Sequence, residues 1–167
     1  MLREMVRDWT QENVEPQALE YDREEKFNLP LLREMGEMGL LGISAPEQYG
    51  GAGLDATACA IVHEELSASD PGFALAYLAH SMLFVNNLAK NGNDEQKERI
   101  LPLVCSGEWL GAMAMSEPDV GTDVLGLSTT AEQQDDGTWK INGRKMWITN
   151  GCLEEDDTPA DVVWVYA

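Results

Sequence analysis

An α+β fold is predicted, an all-α helical bundle followed by the start of an antiparallel β domain, and three observations predict it. Apolar residues recur at helical spacing through the first hundred positions. A short apolar run at 109–115, opened by Gly107, suits a buried strand, and two strong hairpin signals follow it, Asp136-Gly137 and Asn142-Gly143. The expected organisation is a helical domain at 1–108 and the first part of a β domain at 109–167. At 167 residues, 44% of them hydrophobic, the chain can bury a real core.

In the first helix Leu2, Met5, Val6 and Trp9 form one apolar stripe, and Pro16 kinks or ends it. A second helix starts at Asn28-Leu29-Pro30, where Asn28 caps and Pro30 is tolerated in the first turn. Leu31, Leu32, Met35 and Met38 line one side, and Gly39 closes it. Residues 43–55, with Pro46, Gly50, Gly51 and Gly53, are too irregular for helix or strand and lack the lysine of a phosphate-binding loop. A third helix spans 56–67 and buries Ala58, Ile61, Val62 and Leu66. Asp70-Pro71 then caps a long fourth helix ending at Asn91-Gly92, apolar on nearly every side and therefore central. Asn93 with Gln96 resembles a capping box for a fifth helix, which ends near Ser106-Gly107 and holds Pro102 late in its course.

After the strand at 109–115 comes the turn Ser116-Glu117-Pro118-Asp119-Val120-Gly121-Thr122-Asp123. Pro118 restricts the backbone, Gly121 permits a left-handed or close-approach conformation, and Ser116, Thr122 and Asp123 can bond neighbouring main chain. Such a turn leaves amides free for carbonyl or phosphate oxygens, although by itself it is an ordinary loop. Three antiparallel strands are expected at 128–134, 138–141 and 144–149. Along the last, strand alternation places Trp147 and Thr149 on one face and Met146 and Ile148 on the other. An indole beside a hydroxyl suits a flat heteroaromatic ring.

Thirty acidic residues against eleven basic give a formal charge of -19, which argues against nucleic acid and anionic membrane as partners and is also consistent with a highly solvated surface. No stretch approaches the roughly 18 to 20 apolar residues that span a bilayer. Charges at Arg3, Glu4, Arg7 and Asp8 interrupt any signal-peptide core, so a soluble interior compartment is expected, cytoplasmic or, for a processed eukaryotic protein, the mitochondrial matrix. Cys59, Cys105 and Cys152 are far apart and suggest neither disulfides nor a zinc site. His63-Glu64 opens like a zinc-protease motif, but residue 67 is Ser and the second histidine is missing, so no metal is expected. His80 reads as a hydrogen-bonded core or cleft histidine, the acidic run at 154–157 as a solvated loop, and the eight methionines as core filler.

Ala114-Met115-Ser116-Glu117-Pro118-Asp119-Val120-Gly121-Thr122-Asp123, followed some twenty residues on by Asn142-Gly143-Arg144-Lys145-Met146-Trp147-Ile148-Thr149-Asn150-Gly151, resembles the paired flavin motifs of acyl-CoA dehydrogenases. Tyr49-Gly50-Gly51-Ala52-Gly53-Leu54, Ala79-His80-Ser81 and Asn91-Gly92-Asn93-Asp94-Glu95-Gln96-Lys97 have counterparts in the helical part of that family, and the pattern is nearest its isovaleryl-CoA branch.

The resemblance implies FAD as cofactor and α,β-dehydrogenation of a short or branched-chain acyl-CoA thioester, with an electron-transferring flavoprotein reoxidising the flavin. It assigns flavin contacts to Met113, Met115, Ser116, Gly121, Thr122, Trp147, Ile148 and Thr149, and to Thr122 a contact with the acyl-CoA as well. Ser116 matches the group at the pyrimidine edge of the ring, Trp147 the aromatic flank, and Thr149 the hydroxyl at the reactive ring nitrogen. Asp119 and Val120 are bulkier than the family's frequent glycine and alanine, and 152–160 makes a longer loop. The net charge sits awkwardly with a polyanionic ester, which Lys140, Arg144 and Lys145 could offset locally. In the family the catalytic base is a glutamate on a C-terminal helical bundle that also builds homodimers and homotetramers and binds the adenine end of FAD. No residue of this chain is nominated as base, and the chain alone is expected to be inactive. An acyl-CoA oxidase and a non-catalytic helical binding module are the alternatives.

Overall fold

In the computed structural model, which describes residues 1–153 and 158–167, the chain opens with α1 (Leu2–Trp9) laid across α4 (Ala56–Ser69). The acidic run at 154–157 lies outside the described residues. Arg3 and Arg7 sit four apart and so share a face of α1. Both reach Glu65 of α4: Arg7 Nε donates to Oε2 at 2.9 Å, and Arg3 Nη1 donates to Oε1 while its Nη2 meets Glu64 at 2.7 Å. The Arg7 and then the Arg3 hydrogen bonds hold the Glu65 carboxyl down at about 2. Val6, one residue from Arg7, is buried between the same helices.

Pro16 does not end the first helix. A π-helical turn at Thr10–Val14 intervenes, and α2 (Glu15–Arg23) then carries Pro16 in its first turn. Proline has no N–H for the i→i−4 ladder, and a wider turn before it absorbs the missing bond. The second predicted helix is α3 (Leu29–Glu37), where the Leu31 amide donates to Asn28 Oδ1 at 3.0 Å and Gly39 follows with φ +73°. Asp55 accepts from the Thr57 and Ala58 amides at the start of α4, and Asp70 from Phe73 at 2.9 Å at the start of α5 (Pro71–Leu78).

The predicted central helix is continuous from α5 through a π-helical stretch, Ala79–Val85, into α6 (Asn86–Asn91). It threads two buried clusters, with Tyr77 among Val6, Leu32, Met35 and Leu66, and Phe84, Val85 and Leu88 among Leu101 and Val104. The capping box opening α7 (Asp94–Ser106) is complete: Gln96 N donates to Asn93 Oδ1 at 2.8 Å and Asn93 N to Gln96 Oε1 at 2.9 Å.

Strand β1 is shorter than predicted, Gly111–Ala114, and lies against the π-helical stretch. At Gly111 a Cβ would overlap the Phe84 ring, so this position admits only glycine without a shift. His80 joins the two layers, accepting the Gly111 amide at Nδ1 (3.0 Å) and donating from Nε2 to the Val104 carbonyl (2.9 Å). It is the buried, hydrogen-bonded histidine expected.

The β pairings depart from the expectation in two ways. Strand β1 pairs in parallel with β4 (Val162–Val165), Gly111 opposite Val162, because the chain returns to the same end of the sheet before β4 begins. Strands β2 (Thr130–Gln133) and β3 (Trp139–Asn142) form the predicted antiparallel hairpin around Asp136-Gly137, with Gly137 at φ +83°. The third predicted strand, at 144–149, does not form. Trp147 and Asn150 have φ of +55° and +63°, which no strand accommodates, and Lys145 and Met146 bond to the turn after β1 instead of to β3. The alternation that would have put Trp147 with Thr149 opposite Met146 with Ile148 therefore has no basis in strand geometry.

Candidate functional site

Strand β1 delivers Met113, Met115 and Ser116, all half-buried, to the edge of the helical layer. The chain then makes a tight turn in which Glu117 N donates to Val120 O at 2.9 Å and Val120 N to Glu117 O at 3.2 Å. Gly121 and Thr122 follow on an exposed loop that runs through a short 3-10 turn at Val124–Gly126, with no atom within 4 Å of where a Gly121 Cβ would stand. That loop returns at Ser128 and Thr129.

Its neck is closed by Glu117, only 3% exposed. Oε2 accepts Ser128 N and Ser128 Oγ, both at 2.7 Å; Oε1 accepts Thr129 N at 2.9 Å, Thr129 Oγ1, and Lys145 Nζ at 2.9 Å. Hydroxyl donation by Thr129 and Ser128, then the Lys145 ammonium, hold this carboxyl far below the usual carboxylate range. Lys145 also donates to the Met115 carbonyl at 3.0 Å.

The second motif is thereby tied to the first. Met146 N donates to the Ser116 carbonyl at 2.9 Å, and Trp147 follows in the left-handed region with its side chain in the open, 80% exposed. Ile148 and Thr149 are half-buried. Asn150 then crosses to the helical layer, its Nδ2 donating to the Ala76 carbonyl of α5 at 2.9 Å, and Gly151 N closes on Ile148 O. Of the predicted contact residues, Met115 and Ser116 are brought beside the segment carrying Trp147, Ile148 and Thr149. Met113 stays within β1 opposite Trp164, and Gly121 and Thr122 sit out on the loop. Sequence reasoning gave Glu117 no role and read Lys145 as a cation facing the ester, whereas the structure turns Lys145 inward onto Glu117. An acid inside a turn, with Ser128-Thr129 and Lys145 downstream, was the available signal.

The groups that a planar heteroaromatic ligand could meet here are open to solvent and engaged by no other described side chain. The Trp147 indole is left to solvent, and the hydroxyls of Ser116, Thr122 and Thr149 bond to no other described residue. Two clefts of about 610 and 620 Å³ are lined by none of these residues: the first lies between α2 and the α4–α5 junction, the second between the start of α3 and Cys152-Leu153. Among the described residues no group of three His, Cys, Asp or Glu could hold a metal ion, and Cys59, Cys105 and Cys152 are free.

Residues 1–108 match the acyl-CoA dehydrogenase N-terminal domain, and residues 112–155 match the middle domain. The chain belongs to the acyl-CoA dehydrogenase family. Mitochondrial isovaleryl-CoA dehydrogenase of Bos taurus is 45% identical over 99% of this chain and 38% of its own length. The crystal structure of an acyl-CoA dehydrogenase from Bacillus anthracis, complexed with FAD, superposes with a TM-score of 0.89 at 41% identity, covering all of this chain and 28% of that one. Glutaryl-CoA dehydrogenase from Mycobacterium smegmatis gives 0.90 at 35% identity, over 99% of this chain and 41% of that one. The chain thus spans less than two-fifths of the length of the curated acyl-CoA dehydrogenase it matches. No helix among the described residues is long and apolar enough to cross a membrane.

Proposed function

We propose that this chain supplies the flavin-facing part of an FAD-dependent acyl-CoA dehydrogenase acting on a short or branched acyl-CoA thioester. The observation that carries the reading is the 2.9 Å bond from Met146 N to Ser116 O, which sets the two motifs edge to edge beside an exposed indole. Met113, Met115, Ser116, Gly121, Thr122, Trp147, Ile148 and Thr149 would hold FAD, with Thr122 also touching the acyl-CoA. Bound there, FAD supplies the acceptor for the hydride that leaves the substrate's β-carbon.

The chain's own residues provide the setting. Ser116 offers a hydroxyl and amide to a polar ring edge, Trp147 an apolar wall, and Thr149 a hydroxyl donor where negative charge accumulates. None of the described residues is assigned the base for the α-proton. The reading carries an electron-transferring flavoprotein as electron acceptor, a homodimer or homotetramer as the assembly, and the cytoplasm or mitochondrial matrix as the location. The 45% identity to an isovaleryl-CoA dehydrogenase favours a branched short-chain substrate.

The test is to express the longest reading frame that encodes this chain and titrate it anaerobically with acyl-CoA esters. A yellow protein bleached by isovaleryl-CoA ahead of straight-chain esters supports the reading. A protein that takes up no FAD overturns it.

A further inference from the structure

We propose that Glu117 and Lys145 are positioning residues, a buried ion pair that sets the spacing between the two flavin-facing segments. This rests on the function proposed above and deepens it. The pair is 2.9 Å apart with side-chain exposures of 2% and 11%, so water screens it little. Its geometry differs from that of an ordinary structural salt bridge. It ties the backbone beside Ser116 to the segment leading into Trp147 and to Ser128 and Thr129, at the neck of the loop that carries Gly121 and Thr122.

Glu117 follows Ser116 directly, and the five donors on its carboxylate include Ser128 and Thr129, which close the loop that carries Gly121 and Thr122. Lys145 lies two residues before Trp147, and its ammonium bridges the carboxylate and the Met115 carbonyl. One pair therefore fixes three separate pieces of backbone, at 115–117, 128–129 and 145–146. The backbone hydrogen bond from Met146 N to Ser116 O lies in the middle of that clamp. Loss of the Lys145 ammonium leaves the Glu117 carboxylate buried without a counter-charge, holding only its Ser128 and Thr129 donors, and leaves the Met146 N to Ser116 O bond as the remaining hydrogen bond between the segment carrying Trp147 and the first turn among the described residues.

Lys145→Met removes the charge and donors while keeping much of the stem. Lys145→Arg keeps charge and donors. Glu117→Gln keeps shape but places an N–H₂ among groups that are themselves donors. The probe is free FAD added to the flavin-stripped full-length protein, read by flavin fluorescence quenching, by the resolution of the visible band, and by the midpoint potential of the bound flavin. Thermal melting and far-UV circular dichroism report folding.

Lys145→Met is expected to weaken FAD binding about tenfold or more, the consequence of a buried carboxylate left without its counter-charge, and to shift both visible band and potential. Lys145→Arg is expected to restore them. Glu117→Gln combined with Lys145→Met is expected to lose no more than the worse single variant, because both break one link. The proposal is overturned if folded Lys145→Met protein binds FAD with parental affinity, spectrum and potential, or if the two losses simply add. Should Glu117→Gln fail to fold, the lysine pair of variants decides alone. A parent protein that binds no FAD would instead sink the proposed function, so the two failures are distinct.

Discussion

Gly111 donates its amide to His80 Nδ1 at 3.0 Å, while the other nitrogen of the same ring donates to the Val104 carbonyl at 2.9 Å. An amide can only donate and a carbonyl only accept, so the imidazole is neutral with its proton on Nε2. Protonation would set an Nδ1–H against the Gly111 N–H, donor against donor, and break the joint between helix and strand.

Acid should therefore loosen this joint first. Burial lowers the His80 pKa to about 4, well below its ordinary value near 6.5. A group depressed on folding contributes stability above its unfolded pKa and loses it as pH falls toward the folded one, here between about 6.5 and 4. The loss amounts to roughly 3 kcal/mol at most. Hydrogen exchange of peptides covering 109–115, corrected for intrinsic rate, should show protection falling from pH 7 to 5. A flat profile there would refute the assignment. Glu65 and Glu117, both depressed carboxylates, lose their contribution only below about pH 4.5, so a change between pH 7 and 5 belongs to His80 and not to them.

Gly111→Ala should destabilise the protein by about 1 to 3 kcal/mol through overpacking, since its methyl group meets the Phe84 ring. Phe84→Leu in the same chain should recover part of that loss. Urea unfolding of the single and double variants checks it, and strict additivity would place the strain elsewhere.

At the proposed flavin site, Thr149→Val should slow substrate reduction of the flavin by about a hundredfold while changing FAD retention far less. A hydroxyl donor counts most where charge develops. Stopped-flow reduction and FAD titration separate the two effects, and equal loss of both would tell against a donor role.

Trp147 holds φ +55° with a side chain 80% exposed, so it is strained and hardly packed. Trp147→Asn, a residue that tolerates this region, should leave the FAD-free protein as stable or stabilise it by about 1 kcal/mol, and should weaken FAD binding. Melting of the apoprotein beside an FAD titration tests the trade. A variant that is less stable in the FAD-free state would show that the indole packs on protein instead.

What could be read from sequence was what is locally encoded. The caps at Asn28, Asp70 and Asn93 with Gln96 need only neighbours three positions away, and all three formed as expected. Asn142-Gly143 sent a local hairpin signal that the fold overrides, because Lys145 is drawn to Met115 and Glu117, about thirty residues earlier in the chain. The role of Glu117 was hard to read for the same reason: an acid in a turn with hydroxyls and a lysine downstream is a weak signal, and its partners at 128, 129 and 145 converge only in three dimensions. Motif residues on both sides of the site were recognisable, yet the left-handed backbone at Trp147 was not, because an aromatic residue carries no propensity for it.

The parallel pairing of β1 with β4 has a consequence for the order of events on the ribosome. When β1 emerges, His80 and Phe84 are already available to seat one side of it, but Val162, its partner at Gly111, is made about fifty residues later. During that interval, several seconds at ordinary elongation rates, the open edge of β1 is exposed to any passing strand. A nascent chain stalled in this interval is the one for which a chaperone matters most.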